Sequence, residues 1–442
     1  MIQGPVSTPK KLSMEYFKKA IKQNDMVSVF KSRPFSLLMI SEFFSQLAFN
    51  MQHFVLIFVI YELTRSNTAV SGVILSFTIP AILLSIVSGV YVDRWNKKRV
   101  LFFTNLIRGI LLIPFFFSGL HLSLIYALTF FIAVATQFFL PAESSIIPTL
   151  VRRNLLLPAN AAFSFGIYAT TLLGYILSGP VFIILGRTNT FIFLSFLFFL
   201  SAVFIPFIKI PKTAKQKISI ANKLPSSLVT EAGEIFSFIR KTKKVRHALI
   251  MLTIAQAVIF MFAVLVPGYA ATVLKIRLES LSWILVAPAA LGMGLGALTL
   301  GSFGKNLNRK WLSSSGFMIT GVTFILFSFV NMAIQSGFIT SLNSSLPYGL
   351  YVTPLYFVII MAVVIGFAIS LVFAPSNTTI QLETDESMRG RIYGFLNALI
   401  GAVSFLPVVA AGGLADILGT VAVLVGFGVL MIILGIFFWI FD

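Results

Sequence analysis

Twelve runs of mostly uncharged residues, each roughly twenty long, follow one another along this chain, and the short segments between them are basic and nearly bare in turn. A helix of that length crosses the ~30 Å hydrocarbon core of a bilayer, with its backbone N–H and C=O groups paired inside the segment. The runs predict spans over 35–60, 69–91, 100–119, 123–141, 160–186, 189–209, 248–273, 281–301, 311–332, 352–374, 392–414 and 420–441. Of the 33 Lys and Arg residues, 28 fall in the N-terminal segment and every second segment after it. Only Arg65, Arg187, Lys275 and Arg277 fall in the others, and Arg108 lies within a run. Lys and Arg mark the side that stays in the cytoplasm. The pattern therefore predicts a multi-pass protein of the cell inner membrane with both termini cytoplasmic.

Composition excludes the rival classes. With 58% hydrophobic and 11% charged residues and a mean hydropathy of +0.97, the chain has too little charge to keep its apolar surface dispersed in water. The net charge of +19 sits in short juxtamembrane segments, so membrane lipids and not nucleic acid are the expected partner. No cysteine is present, which removes disulfides and thiolate metal sites, and His53, His121 and His247 are too scattered to ligate a metal. Neither a metal nor a cofactor is expected. The polar, basic stretch ahead of the first run is too long and too charged for a signal peptide.

The expected fold is all-α and integral to the membrane, with twelve transmembrane helices in two pseudo-symmetric six-helix bundles. Residues 1–34 form a basic N-terminal segment, in which Lys11–Ile21 predicts a surface helix. Residues 35–209 form the first bundle, 210–247 a cytoplasmic linker, and 248–442 the second bundle. Within the linker, Leu228, Ala232, Ile235, Phe236 and Ile239 share one helical face, which predicts an amphipathic helix on the inner leaflet. The halves repeat weakly. Pro141 to Ile146 parallels Pro375 to Ile380, and Gly179 to Gly186 parallels Gly412 to Gly419. An in-register duplication predicts parallel repeats, the arrangement behind rocking-bundle transport.

Between the second and third runs stand Gly89, Asp93, Arg94, Asn96, Lys97, Lys98 and Arg99. This spacing resembles the signature loop of the major facilitator superfamily, Gly-x-x-x-Asp-Arg-x-Gly-Arg-Lys/Arg-Arg. Gly89 permits close helix approach, Asp93 is expected to meet a helix N-terminus, and Asn96 replaces the family's glycine at a position expected to need a left-handed turn. The second half keeps Gly296, Gly301, Arg309 and Lys310 but lacks the aspartate. Gly89, Asp93, Arg94, Lys98, Arg99 and Glu143, with Arg389 and Arg391 at the start of the eleventh run, are therefore the expected conformational latch. Further segments are similar to the macrolide-efflux and enterobactin-exporter-like, drug–proton antiporter branch. They include Phe30 to Phe35, Leu157 to Ala161, Glu231 to Ile239, and Glu383 to Arg391.

Polar residues inside the runs complete the pattern. Glu42, Gln46, Asn50 and His53 fall within ~80° of one another on a helical projection. Burying a carboxylate in a bilayer is costly, so such a stripe is expected to face a cavity or a partner. Glu42 is expected either to couple protons or substrate or to be a wetted structural carboxylate near the cytoplasmic start of its span, with Gln46, Asn50, His53, Gln137 and Gln256 as cavity residues. For His53 a packing or external-rim position is the favoured alternative. Arg108 is expected in a structural ion pair with Glu143, and Asp416 in water at the outer end of the eleventh span. The resemblance implies a monomeric secondary transporter that exports small amphipathic organic molecules, drug- or siderophore-like, in exchange for protons. A lysophospholipid or other lipid flippase is the rival within transport, and a membrane scaffold or sensor is the rival from another class. No catalytic cluster in the loops suggests an enzyme.

Overall fold

In the computed structural model, the residues described are 28–117, 121–152, 155–209, 224–303, 309–337, 341, 343–345 and 353–441. Side chains at a few further positions, among them Asp93 and Arg389, also lie outside the description, as does the surface helix expected at Lys11–Ile21.

The helices are α1 (Arg33–Thr64), α2 (Asn67–Arg94), α3 (Lys97–Leu112) and α4 (Leu122–Leu150). A continuous stretch Leu156–Phe204 breaks at Gly186, where φ is 71° and ψ 173°, into α5 (156–185) and α6 (187–204). A linker helix, Leu224–Lys241, precedes α7 (Lys243–Tyr269), α8 (Ala287–Phe303), α9 (Arg309–Gln335), α10 (Pro354–Glu383), α11 (Glu386–Leu418) and α12 (Thr420–Phe441). Twelve spanning helices result once the break at Gly186 is counted.

Local sequence explains the boundaries. Pro34 and Pro354 open α1 and α10, at positions whose N–H would be unpaired in any case. Ser66 caps α2 by accepting from the Ala69 N–H. Two expectations fell short for one reason. Spans were expected to end at 141 and 374, and α4 runs on through Pro141 and Pro148, and α10 through Pro375. A proline in a membrane bundle is tolerated because neighbouring helices support the backbone it disturbs.

The two halves pair their helices alike: α1 with α5 and α7 with α11, α2 with α4 and α8 with α10, α3 with α6 and α9 with α12. Across the halves, α2 meets α11, and α5 meets the start of α8. The repeats also share special backbone. α1 and α7 end on basic residues in the left-handed region, Arg65 (φ 54°) and Lys275 (φ 53°), and α5 and α11 end on Gly186 and Gly419 (φ 84°).

The linker helix packs on the second bundle. Ile235, Phe238 and Ile239 join Leu249, Ile392 and Leu396, and Phe236 points away, 63% exposed. The packed face is thus shifted from the expected stripe. Lys244 at the start of α7 bonds Glu383 at 2.8 Å.

Candidate functional site

The end of the molecule that carries the clusters of Lys and Arg is here the basic end, and the other the bare end. Toward the bare end the halves share one apolar core. Met51, Val55 and Val70 of the first half pack in it with Met261, Tyr269, Val408 and Ala415 of the second. At the basic end the core divides. One cluster holds only first-half residues, such as Phe35, Val92, Leu101 and Ile147, and the other only the linker helix and second half.

Glycines trace the same asymmetry along α2 and α11. A Cβ on Gly412 would collide with the Asn67 carbonyl and Ser71, and one on Gly401 with Ile82. Ser71 Oγ also donates to the Val408 carbonyl at 2.8 Å. Near the basic end, Gly89 and Gly394 have no atom within 4 Å of where a Cβ would stand. Close approach of the two helices is thus seen at Gly401 and Gly412 and not at Gly89 and Gly394.

Asp416 is exposed at the end of α11, as expected, and it is also bonded across the halves. Its Oδ1 accepts from the Asn67 backbone N–H at 2.7 Å and from Asn67 Nδ2 at 2.9 Å. Its Oδ2 accepts from Ser66 Oγ at 2.6 Å and the Thr68 N–H at 3.0 Å. The reason is positional: the last turn of α11 lies against the first turn of α2, whose leading N–H groups have no partner within the helix.

The α1 stripe is buried in protein. Glu42 is 2% exposed, and neither of its carboxylate oxygens has a hydrogen-bond partner among the described residues. Asn50 Nδ2 donates back to the Gln46 carbonyl at 2.8 Å. The His53 ring stacks on Phe77 with centroids 3.7 Å apart, and its Nδ1 lies 2.8 Å from the Phe49 carbonyl, so it is a packing residue. Gln137 and Gln256 are half-buried on α4 and α7.

Arg108 corrects the expected pairing. Its guanidinium is not paired with Glu143 among the described residues. It donates to Ser45 Oγ at 3.0 Å and to Asn105 Oδ1, and lies 4.2 Å from the Phe139 ring centroid and 4.7 Å from that of Phe198. The charge within its electrostatic reach is Glu42. Ser45 and Asn105 complete this polar centre and were missed, because short polar side chains in an apolar run give no signal of their own. Glu143 is buried, with Oε1 unpartnered.

In the signature loop Asn96 is extended (φ −70°, ψ 105°), not left-handed, and caps α3 by accepting from the Arg99 N–H at 3.2 Å. Capping suits a short polar side chain and needs no positive φ. Lys98 Nζ donates to the Pro206 carbonyl at 2.7 Å, and Arg94 and Arg99 are exposed. Arg391 lies 3.4 Å from Glu234 of the linker helix. Contacts of the Asp93 and Arg389 side chains lie outside the described residues.

Two bundles that meet at one end and part at the other define a multi-pass membrane transporter. The chain belongs to the Major Facilitator Superfamily, whose profile matches residues 38–346. It is 24% identical to the MFS-type transporter YfmI of Bacillus subtilis (strain 168), covering 92% of this chain and 96% of that one. It is 23% identical to the multidrug efflux pump Tap of Mycolicibacterium fortuitum, over 83% and 85% of the two chains. With macrolide efflux protein A of Streptococcus pyogenes it shares 21% identity over 82% and 85%. Among solved structures, the nucleoside transporter NupG has the same fold, with a TM-score of 0.69 at 16% identity over 92% and 98% of the chains.

Proposed function

We propose that this protein exports small amphipathic organic molecules in exchange for protons by alternating access, with its basic end in the cytoplasm. The observation that carries the reading is the divided core. Halves that share one core at the bare end and hold separate cores at the basic end are arranged to part on the inner side, the side from which an exporter loads. The efflux names of two relatives support the substrate class. The bundles, residues 35–209 and 248–442, are the rocking units on this reading, and Glu42, a buried carboxylate on α1, is the proton-coupling group.

Inverted membrane vesicles test this. With an inward-acid pH gradient they are expected to accumulate a lipophilic fluorescent cation or a macrolide, and to lose it when nigericin collapses the gradient. Vesicles that accumulate no probe of this kind would overturn the reading.

A second reading, lipid movement, draws on a groove of about 880 Å³ on the first bundle, lined by Arg94, Trp95, Arg99, Phe103, Ile107 and Phe131 among others. Arginines above an apolar trough suit an anionic headgroup and its chain. Translocation of a fluorescent lysophospholipid in the same vesicles, without probe accumulation, would favour it.

A further inference from the structure

We propose that Asp416 is a latch that holds the bare end of the transporter shut, the counterpart at that end of the one expected of Asp93 at the basic end. The inference rests on the alternating-access reading. It begins with the first turn of α2. A two-residue turn, Arg65 and Ser66, with Arg65 at φ 54°, separates α1 from α2. The first N–H groups of α2 are left free and point along its axis. Asp416 belongs to the other half of the molecule, yet its carboxylate takes the N–H of Asn67 and of Thr68, the amide of Asn67 and the hydroxyl of Ser66. Charge-assisted bonds to a helix N-terminus are among the stronger polar contacts available. These can be made only while α2 and α11 touch at the bare end.

Internal repetition shows that the contact is an addition to the fold. Gly179 and Gly412 are equivalent in the two repeats. Each lets its helix meet the start of a helix in the other half, Gly179 at the Glu279 carbonyl and Ser282, Gly412 at the Asn67 carbonyl and Ser71. Four residues beyond Gly412 stands Asp416; four residues beyond Gly179 stands Ile183, apolar and 47% exposed. Packing at the two symmetric contacts is therefore alike, and of the two glycine-bearing helices only α11 carries an acid there; Glu279 at the other contact meets Gly179 through its backbone carbonyl. Asp93, at the far end of α2, also lacks an acidic counterpart in the second repeat. The pair α2–α11 thus carries Asp93 at the C-terminal end of α2 and Asp416 at the C-terminal end of α11, at opposite ends of the pair. Asp416 is a positioning residue: it touches no substrate and acts by setting which end is closed.

The experiment uses the full chain in lipid nanodiscs without substrate. Because the sequence has no cysteine, spin labels can be placed at exposed positions of choice. Leu63 and Trp283 report the bare end, and Phe30 and Leu382 the basic end. Asp416→Ala is expected to lengthen the bare-end distance and shorten the basic-end distance, with Asp416→Glu closer to the unsubstituted protein. Ser66→Ala removes one of the four bonds and is expected to move both distances the same way by less; it serves if Asp416→Ala does not insert. Unchanged distances at both ends in an inserted variant would overturn the latch. A longer bare-end distance with no change at the basic end would uphold the latch and overturn alternating access.

Discussion

Glu42 and Arg108 put two opposite charges inside the first bundle, at 2% and 1% exposure. Arg108 is held by Ser45, Asn105 and two aromatic rings, and a buried charge is costly without such partners. Arg108→Ala loses two hydrogen bonds and two aromatic contacts, so it is expected to lower the unfolding temperature in detergent markedly. Arg108→Lys should recover little, because an ammonium lacks the planar fork that reaches Ser45 and Asn105 while stacking on rings. A fully stable Arg108→Lys variant would mean that charge alone matters. Glu42→Gln separates coupling from structure. It is expected to abolish pH-driven accumulation while leaving substrate counterflow intact. If accumulation driven by the gradient persists, Glu42 serves only to neutralise Arg108.

At the scale of elements, the two hairpins that close each repeat depend on glycine. Gly186 and Gly419 adopt φ of 71° and 84° with ψ of 173° and 150°, a region essentially closed to residues with a Cβ. Gly186→Ala and Gly419→Ala are each expected to cost about 1–3 kcal/mol, read as a fall in thermal stability. Gly413, inside α11 with open space around it, is the control: Gly413→Ala should be neutral or slightly stabilising, since alanine is the better helix former. Equal effects at all three positions would remove the backbone argument. The repeat was legible from the matched glycine spacing, but its use was not, because no spacing says which glycines meet a neighbouring helix and which turn the chain.

For the whole molecule, the latch expected at Asp93 and the bonds seen at Asp416 bear on opposite ends of one helix pair. Asp93→Asn is expected to lower transport, leave insertion unchanged and bias the spin-label distances toward the arrangement described here, opposite to Asp416→Ala. A shift in the same direction as Asp416→Ala would refute the two-ended scheme. The halves are further expected to superpose by rotation about an axis along the membrane normal.

What the sequence determined by itself follows from the bilayer as solvent. Length, apolarity and the distribution of Lys and Arg led directly to twelve helices, because lipid allows few other ways to satisfy a backbone. The signature from Gly89 to Arg99 identified the family, because its spacing belongs to that loop. What tertiary structure alone decided is which polar groups meet. Asp416 is a solvated helix end whose bonds appear only once α2 is laid against it, and Arg108 reads as a partner of Glu143 until α1, α4 and α6 close around it. Both outcomes depend on distances across helices far apart in sequence, and a pattern along the chain carries no information about those.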